Sequence, residues 1–527
     1  MAFPFVSLLL FVFLCLFFTT IPIINCQHPP PQGTFIDCGA TNTNTSGFQE
    51  WELDFSFISS GIPKTLNPIP DFLPKHLQTL RSFPLGDGSR KKFCYDVPAV
   101  PRAKYLIRTS YFYGGVNGND FPVPPVFDQI IDGTIWGIVN TTDDFYNGVP
   151  SYYEGVFVAR VKAISVCVAI NTYTESDPFI NALELIRLDD SVYNTTDFGN
   201  FGLNLVARNS FGYPQTLIRY PDDPFDRMWK PSGESYSTPK SVKDIDVAGF
   251  WNLPPLNVFE TALTTEQESP VNLDLQWPTV SLPNSTYYIA LYFADGRNSS
   301  SRVFNITING IQYYQNLNAT TAGAVVFASR WPLSGRNTIS LIPVEGSVVG
   351  PFINAGEIFN LLPLGGRTLI RDVTAMESLK NGFENPPIDW NGDPCIPPEH
   401  AWTGVACSTG PRVRVVSLNL TSMALSGYIS RHISNMTALT DIWLGNNSLT
   451  GTIPDLEKLQ LLKTLHLEDN QLDGYIPSSL GKIGSLGELF LQNNNLRGQI
   501  PNNLLEKRDL NLKTSPGNIL LQPPSPS

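Results

Sequence analysis

The clearest hydrophobic pattern is a repeat near the carboxyl end of the chain. Pairs of leucine-type residues separated by one position recur at steps of 24, 23 and 24 residues, with first members Leu418, Ile442, Leu465 and Leu489. The last three units continue with an asparagine, whose amide can bond the backbone inside the turn, and end in G-x-I-P. One such unit cannot bury its own leucines, so the pattern predicts short strands stacked into a solenoid.

The period and the ending are typical of leucine-rich repeats of the plant extracellular kind. The residue between the paired leucine positions is exposed on each strand, and stacking predicts one column made of Asn419, Trp443, His466 and Phe490. We interpret Trp443, His466 and Phe490 as ligand-binding residues, because exposed aromatic residues anchor many interfaces. The alternative is that these side chains pack on one another or against the first domain. Nothing in the sequence around His466 indicates a metal site.

The region from Gln27 to about Gly365 carries strand patterns instead. Short runs such as KYLIRTSYFYGG and YYIALYFADG are bounded by Gly, Pro, Asn or Asp. FDQIIDG and PFINALELI in the first half are echoed, in the same order, by FNITING and PFINAGEIF in the second half. These patterns predict a mostly β chain, with two tandem β-sandwich lobes at 27–198 and 199–365 ahead of a short repeat solenoid of the α/β type.

The remaining segments are assigned by composition. The uncharged, apolar run Phe5–Phe18 predicts a signal peptide at 1–26, with an uncleaved signal anchor as the alternative. A linker rich in Pro, Gly and Asn, with the cap of the repeats, occupies 366–408. The four repeats follow at 409–510, and a polar tail at 511–527. We expect an extracellular protein, either secreted or held at the cell surface.

Charge and sequons narrow the class of protein. Lys and Arg number 35 against 47 Asp and Glu, a net charge of -12, which argues against a nucleic-acid binder. Only 16% of the residues are charged, so another polar group must keep the surface hydrated. N-linked glycans would serve this purpose. Ten N-x-S/T sequons are present, at Asn44, Asn140, Asn194, Asn284, Asn298, Asn305, Asn318, Asn419, Asn435 and Asn446.

Five cysteines lie beyond the predicted signal peptide, and in an oxidising compartment most of them should pair. Cys395 and Cys407 are close in sequence beside the first repeat, and we expect them to form a disulfide. Cys38, Cys94 and Cys167 must leave one thiol over. The sequence allows three pairings among them and does not choose.

Several segments resemble one known family. FIDCGA at 35–40, KKFCYDV at 91–97 and RYPDDPFDRMW at 219–229 resemble parts of the plant malectin-like domain. WNGDPC at 390–395 is similar to the GDPC joint of malectin-like/leucine-rich-repeat receptors, including the symbiosis receptor kinases. The resemblance implies a cell-surface role, usually with a membrane helix and a kinase after the repeats. This sequence stops after four repeats, so we expect a receptor-like or secreted form that lacks both.

The resemblance also suggests a sugar site in the first lobe. The diglucose cleft of malectin uses aromatic side chains and an acidic residue, and the candidates here are Tyr111, Tyr113 and Asp177. Tyr111 and Tyr113 are two positions apart and therefore share one face of a predicted strand. The alternative is that both tyrosines lie in the core between the sheets, with their hydroxyls hydrogen-bonded.

No catalytic or dinucleotide-binding motif stands in the sequence, and we expect no enzyme activity, no cofactor and no metal. The favoured hypothesis is a receptor-like glycoprotein that binds a peptide, protein or glycan and acts through a membrane receptor kinase. The alternative is a carbohydrate-binding cell-wall protein without a signalling partner. A glycan-processing enzyme is the least favoured hypothesis.

Overall fold

The computed structural model describes residues 29–47, 49–86, 91–118, 121–212, 217–232, 247–265, 270–295, 302–347, 349–410 and 412–521. The predicted signal peptide, with Cys15 and Cys26, and the sequon at Asn298 lie outside these residues. The described chain is mostly β, which confirms the predicted fold class. No helix within these ranges is long and apolar enough to cross a bilayer.

The chain divides into two compact units. Among the described residues, one is formed by 34–185, 198–202 and 362–521, and the other by 29–33, 186–197 and 203–361. The first unit therefore combines the first lobe with the repeats. The second lobe forms the other unit.

The first lobe contains two main groups of paired strands. Lys104–Tyr111 pairs antiparallel with Ser151–Val158, and every residue of Lys104–Tyr111 is buried. A four-stranded sheet has the order Lys92–Pro98, Ala163–Ala169, Phe127–Ile131 and Thr134–Val139. The other strands are Gly33–Asp37, Asn44–Ser46, Gln49–Leu53, Ile62–Thr65, Thr79–Ser82, Phe179–Ile180 and Ala182–Arg187. The helices are the α-helix Thr142–Tyr146 and the 3-10 helices Asp54–Ser56 and Lys75–Leu77.

The second lobe also contains two main groups of paired strands. Leu282–Phe293 pairs antiparallel with both Ala324–Gly335 and Ala355–Pro363. A four-stranded sheet has the order Leu273–Gln276, Thr338–Pro343, Arg302–Ile308 and Ile311–Ala319. Side chains from both groups form one buried apolar cluster, which includes Leu291, Ile306 and Leu341. The remaining elements are the strands Phe201–Phe211, Lys230–Ser232, Leu263–Thr264 and Phe352–Ile353 and the 3-10 helices Val247–Gly249 and Leu256–Phe259.

The echo in the sequence is a repeat of one structural plan. Asn181 accepts a backbone N–H hydrogen bond at 2.7 Å and donates its amide to two backbone carbonyls. Asn354, at the same place in the second PFINA segment, makes the same set of bonds, again with 2.7 Å to the N–H. Three residues further on, Glu184 and Glu357 each pair with a buried arginine, at 2.9 and 2.7 Å. A buried charge needs such a partner, so each lobe carries its own internal ion pair.

Disulfides join two cysteine pairs. Cys395 is bonded to Cys407, the pair that the sequence favours. Among the other three, Cys94 is bonded to Cys167, which stands opposite it on the neighbouring strand. Cys38 is a free and buried thiol. The pairing that the sequence left open is therefore decided by strand register.

The segment before the repeats forms their cap. The strands Arg367–Thr368 and Arg412–Val413 pair in parallel, and between them in the chain lie the α-helix Ile370–Lys380, the 3-10 helix Pro398–His400 and the strand Val405–Cys407. Trp390 and Trp402 stack at 5.1 Å and are fully buried in the same apolar cluster as the repeat leucines. Their rings thereby cover the open end of the leucine core.

The repeats form a parallel ladder of strands, made of Val415–Asn419, Asp441–Trp443, Thr464–His466, Glu488–Phe490 and Asn511–Lys513. Ser426–Tyr428 pairs with Ser448–Thr450, and Arg497–Gln499 with Ile519–Leu521. The outer connections hold the 3-10 helices Arg431–Asn435 and Ser478–Lys482 and the α-helix Asn502–Leu505.

The ladder continues beyond the point where the sequence placed its end. The expected polar tail at 511–527 begins with a further rung, since Asn511–Lys513 pairs with Glu488–Phe490. One asparagine in each unit accepts a backbone N–H of the preceding unit through its Oδ1, and we call these residues the asparagine ladder: Asn447, Asn470, Asn494 and Asn518. Asn518 belongs to the further rung and accepts the Leu496 N–H at 2.9 Å. The prediction missed this rung because Thr514 stands where the second leucine of the pair is expected.

Candidate functional site

The strand ladder brings the predicted column together. The register aligns Asn419 with Trp443, Trp443 with His466 and His466 with Phe490, and adds Lys513 beside Phe490. We call these five residues the ridge. Adjacent strands lie about 4.8 Å apart, so neighbouring side chains of the ridge are within contact distance.

One half of the ridge is held by contacts among its own side chains. The His466 ring stacks on the Phe490 ring with centroids 4.1 Å apart. The Lys513 ammonium lies 4.0 Å from the centre of the Phe490 ring. His466 Nε2 is 3.2 Å from a carboxylate oxygen of Glu488. Phe490 therefore lies between a stacked ring and a cation, and this half of the ridge matches the alternative of mutual packing.

Trp443 is the ridge residue with an open ring. It is half-buried, and no aromatic ring or cation stacks on it from the part of the chain that the structure describes. Its neighbour on one side is His466, and on the other side it meets Asn419, an exposed sequon residue. Trp443 is therefore the ridge residue best placed to contact a ligand.

A row of acceptors borders the ridge. Gly445 has no side chain, and a Cβ there would lie 2.7 Å from Glu468 Oε1, so the Glu468 carboxylate occupies the space above this glycine. Glu468 Oε2 and Gln492 Oε1 are shielded from solvent and have no hydrogen-bond donor among the described residues. On the opposite side, Asp441 and Glu488 occupy the same register position in their strands as Thr464 does between them.

The structure corrects the sugar-site prediction for two residues. Tyr111 and Tyr113 are only 1% and 2% exposed. Tyr111 donates its hydroxyl to Gln129 at 2.8 Å, and Tyr113 donates to the Phe121 carbonyl at 2.8 Å. Burial also raises the pKa of the Tyr111 hydroxyl. Both tyrosines are core residues with bonded hydroxyls, as in the alternative, because a buried phenol needs a partner.

Asp177 lies in a loop of the first lobe that remains partly exposed. Its Oδ1 accepts the Leu85 N–H at 3.0 Å, and its Oδ2 is 3.9 Å from the Lys64 ammonium. The sequence analysis missed Phe72, which is 64% exposed and meets Phe112 edge-on at 6.4 Å. Its setting in the proline-flanked segment IPDFLP was the available signal, since a large apolar residue in such a loop has little core to enter.

A buried lysine attaches the cap of the repeats to the first lobe. Lys92, on a first-lobe strand, donates its ammonium to the backbone carbonyls of Asp393 and Ile396, the second at 2.9 Å. Burial lowers the pKa of Lys92 to about 8. A second contact joins His400 Nε2 and Asp128 at 3.3 Å. The GDPC segment is thus tied to the lobe by polar contacts.

A cavity of about 410 Å³ lies beside this attachment. Its walls include the acids Asp132, Glu377 and Asp393, together with Arg367 and the apolar Ile370. Burial raises the pKa of Asp132 and of Glu377. The mixture of both charges and apolar wall does not select one class of ligand.

The sequons are mostly at the surface. Exposed asparagines are Asn140, Asn194, Asn284, Asn318, Asn419 and Asn446, and half-buried ones are Asn305 and Asn435. Asn44 lies within a strand. A glycan needs an exposed attachment point, which the first group provides.

Comparison with known proteins identifies both parts of the chain. The model of the malectin-like domain family matches residues 36–361, and a leucine rich repeat model matches 461–483. A probable LRR receptor-like serine/threonine-protein kinase of Arabidopsis thaliana is 31% identical over 469 residues, which are 82% of this chain and 48% of the kinase. Receptor-like protein 4 of the same plant is 27% identical over 447 residues, covering 79% of this chain and 68% of that protein. The chain spans about half the length of the matched kinase.

Solved structures show the same fold in the lobes. The extracellular domain of ANXUR2 from Arabidopsis thaliana aligns with a TM-score of 0.51 at 15% identity, covering 63% of this chain and 96% of that chain. A chain of the complex of the plant peptide RALF23 with FER and LLG2 aligns with a TM-score of 0.51 at 16% identity, over 63% and 96%. With the family match over more than half of its length, the chain belongs to the malectin-like family of plant leucine-rich-repeat receptor-like proteins.

Proposed function

We propose that this protein is a secreted or cell-surface-associated receptor-like glycoprotein that captures a protein or peptide on the ridge and acts through a partner receptor kinase. The observation that carries the proposal is the ring of Trp443, half-buried on the second strand of the ladder, with no ring or cation of the described residues stacked on it. Aromatic residues on a preorganised surface bind at low entropic cost, because few side-chain rotations are lost.

The relatives support a receptor role. They are receptor-like proteins and receptor-like kinases, and one structural neighbour belongs to a complex of a peptide with two further proteins. By analogy, this chain would hold the ligand while a kinase-bearing partner carries the signal. The proposal includes removal of the signal peptide at 1–26, an extracellular location and glycans on the exposed sequons.

The carbohydrate-binding alternative has less support. Its two candidate tyrosines, Tyr111 and Tyr113, are in the core and present no ring to a sugar. Phe72 is one of several exposed aromatic residues of the first lobe, with Phe55, Tyr146 and Tyr173, and it has one ring neighbour, Phe112, among the described residues.

The experiment is affinity capture with the tagged full-length protein in its own tissue, followed by mass spectrometry of proteins and glycans. Trp443→Ala and Phe490→Ala should abolish recovery of the partner. Tyr475→Ala is the matched control, since Tyr475 is 66% exposed on the repeats but outside the ridge. Equal recovery by wild type and both ridge variants would refute the proposal, and recovery of polysaccharide that survives them would favour the carbohydrate-binding alternative.

A further inference from the structure

We infer that the ridge takes a cationic side chain of its partner, an arginine or a lysine, at a subsite formed by Trp443, Asp441 and Glu468. The inference rests on the proposed function and adds the chemistry of the ligand. It names the group that contacts the open half of the ridge, and assigns to Glu468 a role that the sequence analysis did not give it.

The strand ladder places both carboxylates beside the indole. Asp441 and Trp443 are two positions apart on one strand, so their side chains share a face and lie about 7 Å apart along it. Gly445 is two positions beyond Trp443 in the chain, and the Glu468 carboxylate fills the space above this glycine. Trp443 is therefore flanked by an acid at either end of its strand segment.

Glu468 has an unmet need for a donor. Its Oε2 is shielded from solvent and accepts no hydrogen bond from the described residues. The neighbouring acid Glu488 differs, because its carboxylate is within 3.2 Å of the His466 ring nitrogen. The described residues therefore leave the negative charge of this carboxylate without a donor or cation at Oε2, and a cation bound on the neighbouring indole would offset that charge.

The charge on this face selects a cation over an anion. Four acids, Asp441, Glu468, Asp469 and Glu488, stand on the ridge-bearing strands and the turns that follow them, against one lysine, Lys513. Lys513 is already engaged with the face of Phe490. The electron-rich face of an indole is the best aromatic partner for a cation, and a planar guanidinium can stack on it while pairing with a carboxylate.

Gly445 is the feature that makes the subsite. Any side chain at this position would take the space of the Glu468 carboxylate and move it away from Trp443. The corresponding residues of the next two units, Glu468 and Gln492, both carry side chains. The position without a side chain therefore lies two residues after Trp443, the ridge residue whose ring has no stacking partner among the described residues.

The test uses a phage-displayed library of random short peptides, panned on the immobilised, glycosylated full chain. Selected peptides that lose binding to Trp443→Ala should be enriched in arginine and lysine relative to the input library. Glu468→Gln should weaken their binding by about tenfold, because a charge-assisted hydrogen bond becomes a neutral one. Glu506→Gln, at an exposed acid of the repeats outside the ridge, is the matched control and should leave binding unchanged.

The outcomes separate the inference from the proposed function. Peptides that depend on Trp443 but show no basic enrichment, or that bind the Glu468→Gln variant as well as wild type, would overturn the inference and leave the ridge as a binding surface. Peptides that bind the Trp443→Ala variant unchanged would count against the ridge itself. Because glutamine has the shape of glutamate, Glu468→Gln should keep the thermal unfolding of the wild type, and this is measured alongside.

Discussion

The contribution of the asparagine ladder to the stability of the repeats can be tested with the substitution Asn470→Ala. Asn470 is buried behind the ridge, and its Oδ1 accepts the Leu449 N–H at 3.0 Å. Its amide donates to the carbonyls of Leu444, Leu467 and Glu468, at 2.9, 3.2 and 3.1 Å. The same side chain thus bridges two turns and holds the backbone from which Glu468 projects.

The magnitude follows from what the substitution leaves behind. Leu449 is fully buried, so its N–H would have no acceptor, at a cost of about 1–3 kcal/mol. The donors lost by the carbonyls add roughly 1 kcal/mol, because other groups can replace them in part. We expect the free energy of unfolding of the repeats to fall by about 2–4 kcal/mol.

Hydrogen exchange is the appropriate assay, because the chain has two compact units and a single global midpoint would mix them. The amide of Leu449 should lose protection in Asn470→Ala, while amides of the second lobe keep theirs. Asn495→Ala is the control, since Asn495 is exposed and lies outside the asparagine ladder. Equal protection of Leu449 in the two variants would refute the assignment of the ladder as the support of the ridge.

Three further predictions concern other parts of the fold. Lys92 has a pKa of about 8 in the folded chain, below its ordinary 10.5. Between these two pH values the unfolded chain binds more protons than the folded one, so the free energy of unfolding rises with pH. Denaturation measured at pH 7.5 and at pH 10 should show a smaller rise in Lys92→Met than in the wild type. Gly212 has φ of +84°, and a Cβ there would lie 2.3 Å from a backbone carbonyl oxygen, so Gly212→Ala should cost more than about 3 kcal/mol, unlike Gly137→Ala in open space. Thr421→Ala removes the sequon at Asn419, which lies beside Trp443 at one end of the ridge. Mass spectrometry should show the loss of one glycan, with ridge binding retained or increased because the surface is less covered; reduced binding would contradict this expectation.

The repeats were predictable because their information is local. Leucines at a fixed spacing determine both the ladder and the residues that share its exposed face, so Trp443, His466 and Phe490 could be aligned before any coordinates. The additional rung was missed because Thr514 interrupts that spacing. The sequence analysis also left open the self-packing of the ridge, which applies to His466 and Phe490.

Contacts between distant segments were beyond the sequence. The pairing of Cys94 with Cys167 depends on which strands become neighbours, and no spacing rule encodes that. Tyr111 shows a different limit, because a tyrosine suits a binding cleft and a core equally until its hydroxyl is seen to meet Gln129. Glu468 was overlooked since its importance comes from the absence of a side chain at Gly445, a residue of another repeat.

The attachment made by Lys92 has a consequence for biosynthesis. Its two acceptors lie 301 and 304 residues further along the chain. At roughly 5–20 residues per second, the ribosome needs on the order of 15 to 60 s to deliver them after Lys92 itself has emerged. Throughout that interval the nascent first lobe carries an ammonium group whose final neighbours have not yet been made. The attachment can form only after translation has passed the cap, so the first lobe depends for its last polar contacts on a segment made much later.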